Sequence, residues 1–341
     1  MLSIAYIGNG KSTNRYHAPF AQKVENIQIK KIYSRSEPVW DKLEGTEYVS
    51  DINEIWTDEA IELVVISTPP SSHYQLAKEA LLKGKNVLVE KPFCDTTEEA
   101  LELFALAEKS NLMLQCYQNR RFDSDFLTVQ KVIESGVLGE ILEVEMHFDY
   151  FRPEVPLNTQ HFSKLDDFYY SHACHTLDQV LSYFGNPLNT NYDVRQLLGE
   201  GRLNDYFDLD LYYQEGLKVS VKSSYFRIKE RPSFIVYGTK GCFVKQTKDR
   251  QEEHLKLFYM PTNADFGIDL PEHYGVLTYI DDQGLYHEEK VVSEVGDYSR
   301  FYEAVYQTLK HGAPQLVTKE QTLKQIEMLN EGIKQMNDNL K

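Results

Sequence analysis

LSIAYIGNGKSTNRYHAPF, Leu2 to Phe20, decides how the first half of the chain is read. A short, nearly continuous apolar run has strand length and no solvent face, and Gly8-Asn9-Gly10 follows it at once. Strand, glycine turn and helix start in that order open a βαβ unit, where Gly8 permits the tight turn and Gly10 lets the backbone approach a pyrophosphate at the helix N-terminus. Lys11 and Ser12 complete the loop, and Thr13 takes the third fingerprint position in place of Gly or Ala. A Gly-x-Gly alone is a weak signal; its place directly after the first strand makes it a candidate dinucleotide site.

Working outward, IQIKKIY (Ile27 to Tyr33), IELVVIST (Ile61 to Thr68), NVLVE (Asn86 to Glu90) and LMLQCY (Leu112 to Tyr117) repeat the doubly buried strand pattern, which implies a parallel sheet. Helical patterns lie between them. In CDTTEEALELFALAEKS, Ala100, Leu103, Phe104 and Ala107 share one face behind a capping-box spacing, and HYQLAKEALLKG ends on Gly84. From about residue 140 the texture changes to period-2 strands. ILEVEMHFDY puts Leu142, Val144, Met146 and Phe148 on one side and Glu143, Glu145, His147 and Asp149 on the other; FDLDLYY, LKVSVKSSYF and SFIVYG continue the pattern. Helices return around 298–310 and 319–337. The expected fold class is α/β: a doubly wound parallel sheet over residues 1–120, then an α+β domain over 121–341 with a large, mostly antiparallel open sheet.

A length of 341 residues suits two cores. A net charge of −16 argues against a protein that neutralises phosphates along a nucleic acid. No run spans a bilayer and no signal peptide is visible, so the expected location is cytoplasmic, with Cys94, Cys116, Cys174 and Cys242 reduced. The tyrosine-rich sheet face suggests a homodimer or larger homo-oligomer.

Two stretches carry chemistry. KKIYSRSEP, at the end of the second strand, offers Ser34 and Arg35 where an NAD-selecting site places a carboxylate; a hydroxyl beside a guanidinium suits a 2′-phosphate, so NADP is favoured over NAD. The alternative is that Arg35 only stacks on adenine and accepts either. Thr68, Pro69 and His73 lie at and just after the end of IELVVIST, near the same cofactor, and Glu90-Lys91-Pro92 lies at the end of NVLVE. A lysine leaving a buried strand for a loop is a candidate for function. SHACHTLD, Ser171 to Asp178, is the densest cluster of proton-handling side chains.

AYIGNG, STPPSSHYQLAKEALLKGKNVLVEKPF, YQNRRFDSDF and HTLDQVLSYFG together resemble the Gfo/Idh/MocA oxidoreductases, which act mainly on sugars, cyclitols and their derivatives. The resemblance spans essentially the whole chain and implies a Rossmann domain followed by a substrate-binding α/β domain. It implies that Lys91 bonds the reacting hydroxyl and the nicotinamide ribose, and that His175 is the general base for oxidation and acid for reduction. Four residues before that histidine the family usually has Asp, and this chain has Ser171; His172, Asp167 or a tyrosine of Phe168-Tyr169-Tyr170 are the possible substitutes. KSTNRYHAP, QNRRFDSDF and FDYFRPEV look like the NADP-linked inositol dehydrogenases. Asn119, Arg120 and Arg152 are candidate contacts to substrate hydroxyls, with ion pairing as the alternative for the arginines.

Two other readings stay open. His172, His175 and Asp178 could converge on a metal if helical, although residues six apart do not share a helix face; no metal is expected. A dinucleotide-sensing protein without turnover would explain the absent Asp, but would need neither Lys91 nor His175.

Overall fold

The computed structural model describes residues 1–37, 39–159 and 161–339. Two compact units emerge: 1–119 with 254–266 and 298–327, and 120–253 with 267–297 and 328–341. The chain leaves the first unit at Asn119, where the sequence suggests a boundary, but it returns there twice, which a single cut at residue 120 does not include.

The first unit is built on six strands, β1 (Leu2–Ile7), β2 (Ile27–Tyr33), β3 (Glu47–Val49), β4 (Leu63–Ile66), β5 (Asn86–Val89) and β6 (Leu114–Cys116). They lie in the order β3-β2-β1-β4-β5-β6, and every adjacent pair is parallel. This is the doubly wound order, in which the switch point lies between β1 and β4. All four residues of β4 are fully buried. Only β3, a short strand on the outside of the sheet, lacks a sequence signal.

Helix starts follow local chemistry. The Thr96 hydroxyl accepts from Glu99 N–H at 3.1 Å and the Glu99 carboxylate accepts from Asp95 N–H at 3.0 Å, which opens the helix Thr97–Lys109. The segment after β1 is less regular: Ser12–His17 is π-helical before a short α-turn, Ala18–Ala21. Pro19 has no N–H for the Arg15 carbonyl, and Ala18 N–H instead reaches Thr13 O, so the turn widens.

The second unit contains β7 (Ile141–His147), β8 (Asn189–Arg195), β9 (Tyr206–Tyr212), β10 (Lys218–Ser224), β11 (Phe234–Gly238), β12 (Gly241–Lys245), β13 (Gly275–Ile280) and β14 (Tyr286–Val291). Their order is β14-β13-β12-β11-β7-β10-β9-β8, antiparallel throughout except for β7 with β10. Val144, Met146, Leu209, Leu211, Val219 and Val221 form the inner face, packed in one core with Cys174, Leu177, Val180 and Leu181 of the helix Cys174–Phe184. Each such aliphatic side chain contributes roughly 1.5–3 kcal/mol relative to exposure. The other face carries a charge ladder, with Lys218 2.6 Å from Glu143 and Lys222 3.4 Å from Asp208. Alternation fails at two places in β7 and its extension: Leu142 is exposed, and His147 and Asp149 are buried, engaged by Pro232 O and by the Arg231 guanidinium. Among the described residues no helix is long and apolar enough to cross a membrane.

Candidate active site

Gly8 has φ +114°, and a Cβ there would lie 2.8 Å from the Ser67 carbonyl oxygen, so only glycine fits this turn after β1, where it packs against the end of β4. Thr13, the unusual third position, is fully buried; its hydroxyl donates to Gly8 O at 2.8 Å and lies 2.7 Å from the Ser67 hydroxyl. It ties down the loop from beneath. Gly10 differs: no protein atom comes within 4 Å of where its Cβ would be, so the backbone is open to a ligand on that side. Lys11 is exposed beside it.

A cavity of about 450 Å³ continues from this loop, lined by Gly8, Asn9, Ser34, Arg35, Thr68 and Pro69 among others. A smaller one of about 180 Å³ adjoins the end of β2, with Ser34, Arg35, Ser36, Glu37, Lys42 and Tyr48 in its wall. Ser34 and Arg35 line both. Lys42, which sequence reasoning passed over, is separated from β2 by a loop without periodic signal and stands 5.4 Å from the Tyr48 ring. These residues fit a dinucleotide: a glycine turn with an open backbone, a cavity that continues from it, and two cations, Arg35 and Lys42, with Glu37 in the wall of the smaller cavity.

His73 is buried, with Nδ1 2.9 Å from Pro92 O and Nε2 2.9 Å from Thr68 O. A neutral ring donates to one of these carbonyls, and burial pushes its pKa below the usual value. The ring therefore clamps the loop after β4 to the one after β5 rather than presenting itself to a ligand.

Glu90 organises the lysine loop. Its Oε1 accepts from the Ser12 hydroxyl and lies 3.1 Å from His17 Nε2, while Oε2 accepts from Lys91 N–H at 2.8 Å. Behind it, His17 Nδ1 is 2.6 Å from the Tyr302 hydroxyl, which is 3.0 Å from that of Tyr6, and the imidazole stacks on Tyr117. Burial acts to raise the Glu90 pKa, but the bond and charge of His17, the Lys91 charge and the Ser12 bond outweigh it and hold it at about 2. Neither His17 nor Tyr302 stands out in the sequence; they are 285 residues apart and meet only through the fold.

In the second unit, Tyr169–Ala173 forms a π-helical turn that leads into Cys174–Phe184, with Ser171, His172 and His175 all half-buried. The Ser171 hydroxyl lies 3.0 Å from His172 Nδ1, which is also 3.1 Å from Phe168 O. Of the substitutes considered for the missing Asp, Asp167 is excluded: it is fully buried, and Oδ1 accepts from Asn204 N–H at 2.7 Å. Burial pushes its pKa up to about 7 against several backbone N–H bonds. Phe168, Tyr169 and Tyr170 are equally buried, and Tyr169 donates to Met328 O at 2.9 Å. Of the substitutes, His172 remains accessible, beside Ser171.

Asp178 does not join the histidines. It takes a bidentate pair from Arg121, with Nε to Oδ2 and Nη2 to Oδ1 both 2.7 Å, in a fully buried position. Among the described residues no group of three or more His, Cys, Asp or Glu could hold a metal ion. Arg120 is likewise committed, to Asp123 at 3.2 Å and to Glu252. Asn119 is buried, whereas Arg152 is half-buried with its guanidinium 4.5 Å from the Tyr150 ring centre.

Comparison with known proteins agrees with this layout. Residues 2–118 match the oxidoreductase-family model for an NAD-binding Rossmann fold, and 130–340 match the same family's C-terminal alpha/beta domain. The oxidoreductase YhhX of Escherichia coli is 42% identical, over 98% of this chain and 97% of its own length. The scyllo-inositol 2-dehydrogenase (NADP(+)) IolW of Bacillus subtilis is 31% identical over 96% of this chain and 92% of its own. A crystal structure of an oxidoreductase from Bacillus cereus superposes with a TM-score of 0.92 at 42% identity, covering 98% of this chain and 96% of that one. With both domain models matched in order along nearly the whole chain, the protein belongs to the Gfo/Idh/MocA family of oxidoreductases.

Proposed function

We propose that this oxidoreductase uses NADP(H) and works on a secondary carbinol or the corresponding ketone of a sugar or cyclitol. The observation that carries the reading is Glu90, which binds Ser12 of the glycine loop and the backbone of Lys91 through one carboxylate. When bound, the nicotinamide supplies the hydride acceptor or donor. Gly8, Gly10, Lys11, Ser12 and Thr13 form the pyrophosphate loop, with Thr68 and Pro69 beside the cofactor and His73 holding their loop in place. Ser34, Arg35 and Lys42 around the cavity at the end of β2 support a 2′-phosphate, hence NADP over NAD. The NADP linkage printed for IolW points the same way.

In this reading the Lys91 ammonium stabilises the developing alkoxide, and His175 holds the proton that the hydroxyl gives up or regains. Asn119, Ser171 and His172 orient the substrate, while Arg120 serves as a strut. The half-charged, half-aromatic outer face of the eight-stranded sheet, with Tyr237, Ile280 and Tyr286 exposed, supports a homo-oligomer.

The test is oxidation of NADPH with a panel of ketoses and inososes, repeated with Lys91→Met and His175→Ala. Loss of on the order of a hundredfold or more in kcat with cofactor binding retained is expected. Full activity in both variants would remove the assigned roles. Tight NADP(H) binding with no turnover of any polyol, in either direction, would favour a binding protein of the same fold.

A further inference from the structure

The extension of β7 carries Phe148 and Tyr150, with ring centres 5.6 Å apart. Three cations lie over them: Arg120 at 4.8 Å from Phe148, Lys248 at 5.1 Å from Phe148 and 4.8 Å from Tyr150, and Arg152 at 4.5 Å from Tyr150. Such charges repel one another unless anions offset them. Arg120 is offset by Asp123 and Glu252, and Lys248 by Glu230 at 3.0 Å. Arg152 makes no ion pair among the described residues. Glu154, exposed two residues on, does not engage it. The main chain holds its position, with Arg152 N–H donating to Tyr225 O at 2.9 Å.

The same aromatic platform reaches the proton-transfer segment. The His172 ring meets Tyr150 edge-on at 5.4 Å, the Ser171 hydroxyl is 3.0 Å from His172 Nδ1, and His175 follows on the same helical stretch. The one acid at the start of this stretch, Asp167, is buried and bound by backbone N–H groups, so no accessible carboxylate on 167–175 opposes the guanidinium. The Arg152 fork has no ion pair of its own among the described residues and matches a carboxylate in bidentate geometry, while the neighbouring Arg120 and Lys248 are already held by Asp123, Glu252 and Glu230 and leave no second cation for a phosphate dianion.

We propose that Arg152, seated on Tyr150, is a carboxylate subsite, and that the substrate is an acidic sugar such as a uronate or an aldonate rather than a neutral polyol. The carboxylate is recognised and not altered; the chemistry is at a neighbouring carbinol. This inference rests on the dehydrogenase reading above for its site.

The experiment is titration calorimetry of the full-length protein saturated with NADPH, against a panel of hexuronates and aldonates, their neutral parent sugars and alditols, and the matching sugar phosphates. Turnover of the same panel is measured in parallel. At least one acid should bind tenfold or more tightly than its neutral parent, on the order expected for a charge-assisted bidentate bond. Arg152→Gln should bring that ratio to about one, Arg152→Lys should leave it in between, and Ser171→Asp should weaken acid binding by adding a like charge. Melting temperatures with NADPH confirm that each variant is folded. No acid preference anywhere in the panel, a preference that survives Arg152→Gln, or a stronger preference for phosphates would overturn the subsite. Turnover of neutral polyols without acid preference would do so while leaving the dehydrogenase reading intact. Acid-selective binding that depends on Arg152 but leads to no turnover would uphold the subsite and overturn that reading.

Discussion

His17 Nε2 sits 3.1 Å from Glu90 Oε1 at a position where the imidazole is fully buried, and this contact joins Glu90 to a buried chain of hydrogen bonds. With its pKa held at about 2, the Glu90 carboxylate only accepts, so Nε2 carries the proton. On the other side of the ring, Nδ1 lies 2.6 Å from the Tyr302 hydroxyl, which is 3.0 Å from that of Tyr6. Burial pushes both tyrosines above their usual pKa, so both remain donors.

His17→Ala should therefore destabilise the protein by about 3 kcal/mol, the order of cost for leaving a buried charged group short of a partner. Because Glu90 is depressed from 4.5 to about 2 on folding, its contribution is fully present above pH 4.5 and is lost as pH falls towards 2. In the variant the Glu90 pKa rises and that loss begins at higher pH. Melting temperature against pH measures both effects, and superimposable wild-type and variant curves would dismiss the network.

The two loop glycines should separate fold from binding. Gly8→Ala meets the Ser67 carbonyl at a backbone angle that L-residues avoid, and should cost about 2 kcal/mol or more in urea unfolding. Gly10→Ala meets nothing within 4 Å and should keep its unfolding midpoint, yet weaken NADPH binding by about tenfold or more because the methyl stands on the ligand side. Equal effects of both changes on stability would contradict this division.

Cofactor choice should follow the cavity at the end of β2. Arg35→Ala and Lys42→Ala should each weaken NADP binding by roughly 10- to 100-fold with little change for NAD, since each removes a cation available to the 2′-phosphate. Fluorescence titration with both dinucleotides gives the ratio; parallel losses for NAD and NADP would mean that Arg35 only stacks on adenine.

Arg121→Met should destabilise by about 3–5 kcal/mol because it leaves the Asp178 carboxylate buried without its bidentate partner. Replacing both residues with apolar side chains should recover most of that loss. A double-mutant cycle in urea reads the coupling, and additive losses would show that the pair does not act as a unit.

Much of this molecule is legible locally. The βαβ opening, the end of β2 and the helix starting after Thr96 depend on features a few residues apart: apolar runs of strand length, a glycine turn, a capping pair. The weaker elements escaped for the same reason. β3 is three residues long, and β12 to β14 carry mixed polar and apolar faces without clean alternation. The family resemblance likewise rested on contiguous motifs, and the matches over 2–118 and 130–340 bear it out.

The sequence by itself thus determined the doubly wound first unit, the antiparallel character of the second, and the family, because periodicity and turn chemistry act through neighbouring backbone atoms. It did not determine what each polar side chain is for. Asp178 looked like a possible ligand and is the partner of Arg121; Asp167 looked like a substitute carboxylate and is locked onto backbone N–H groups; His17 attracted no notice and supports Glu90. A buried polar group must find a partner to offset its lost hydration, and only the folded chain brings partners from 37 to 285 residues away into range.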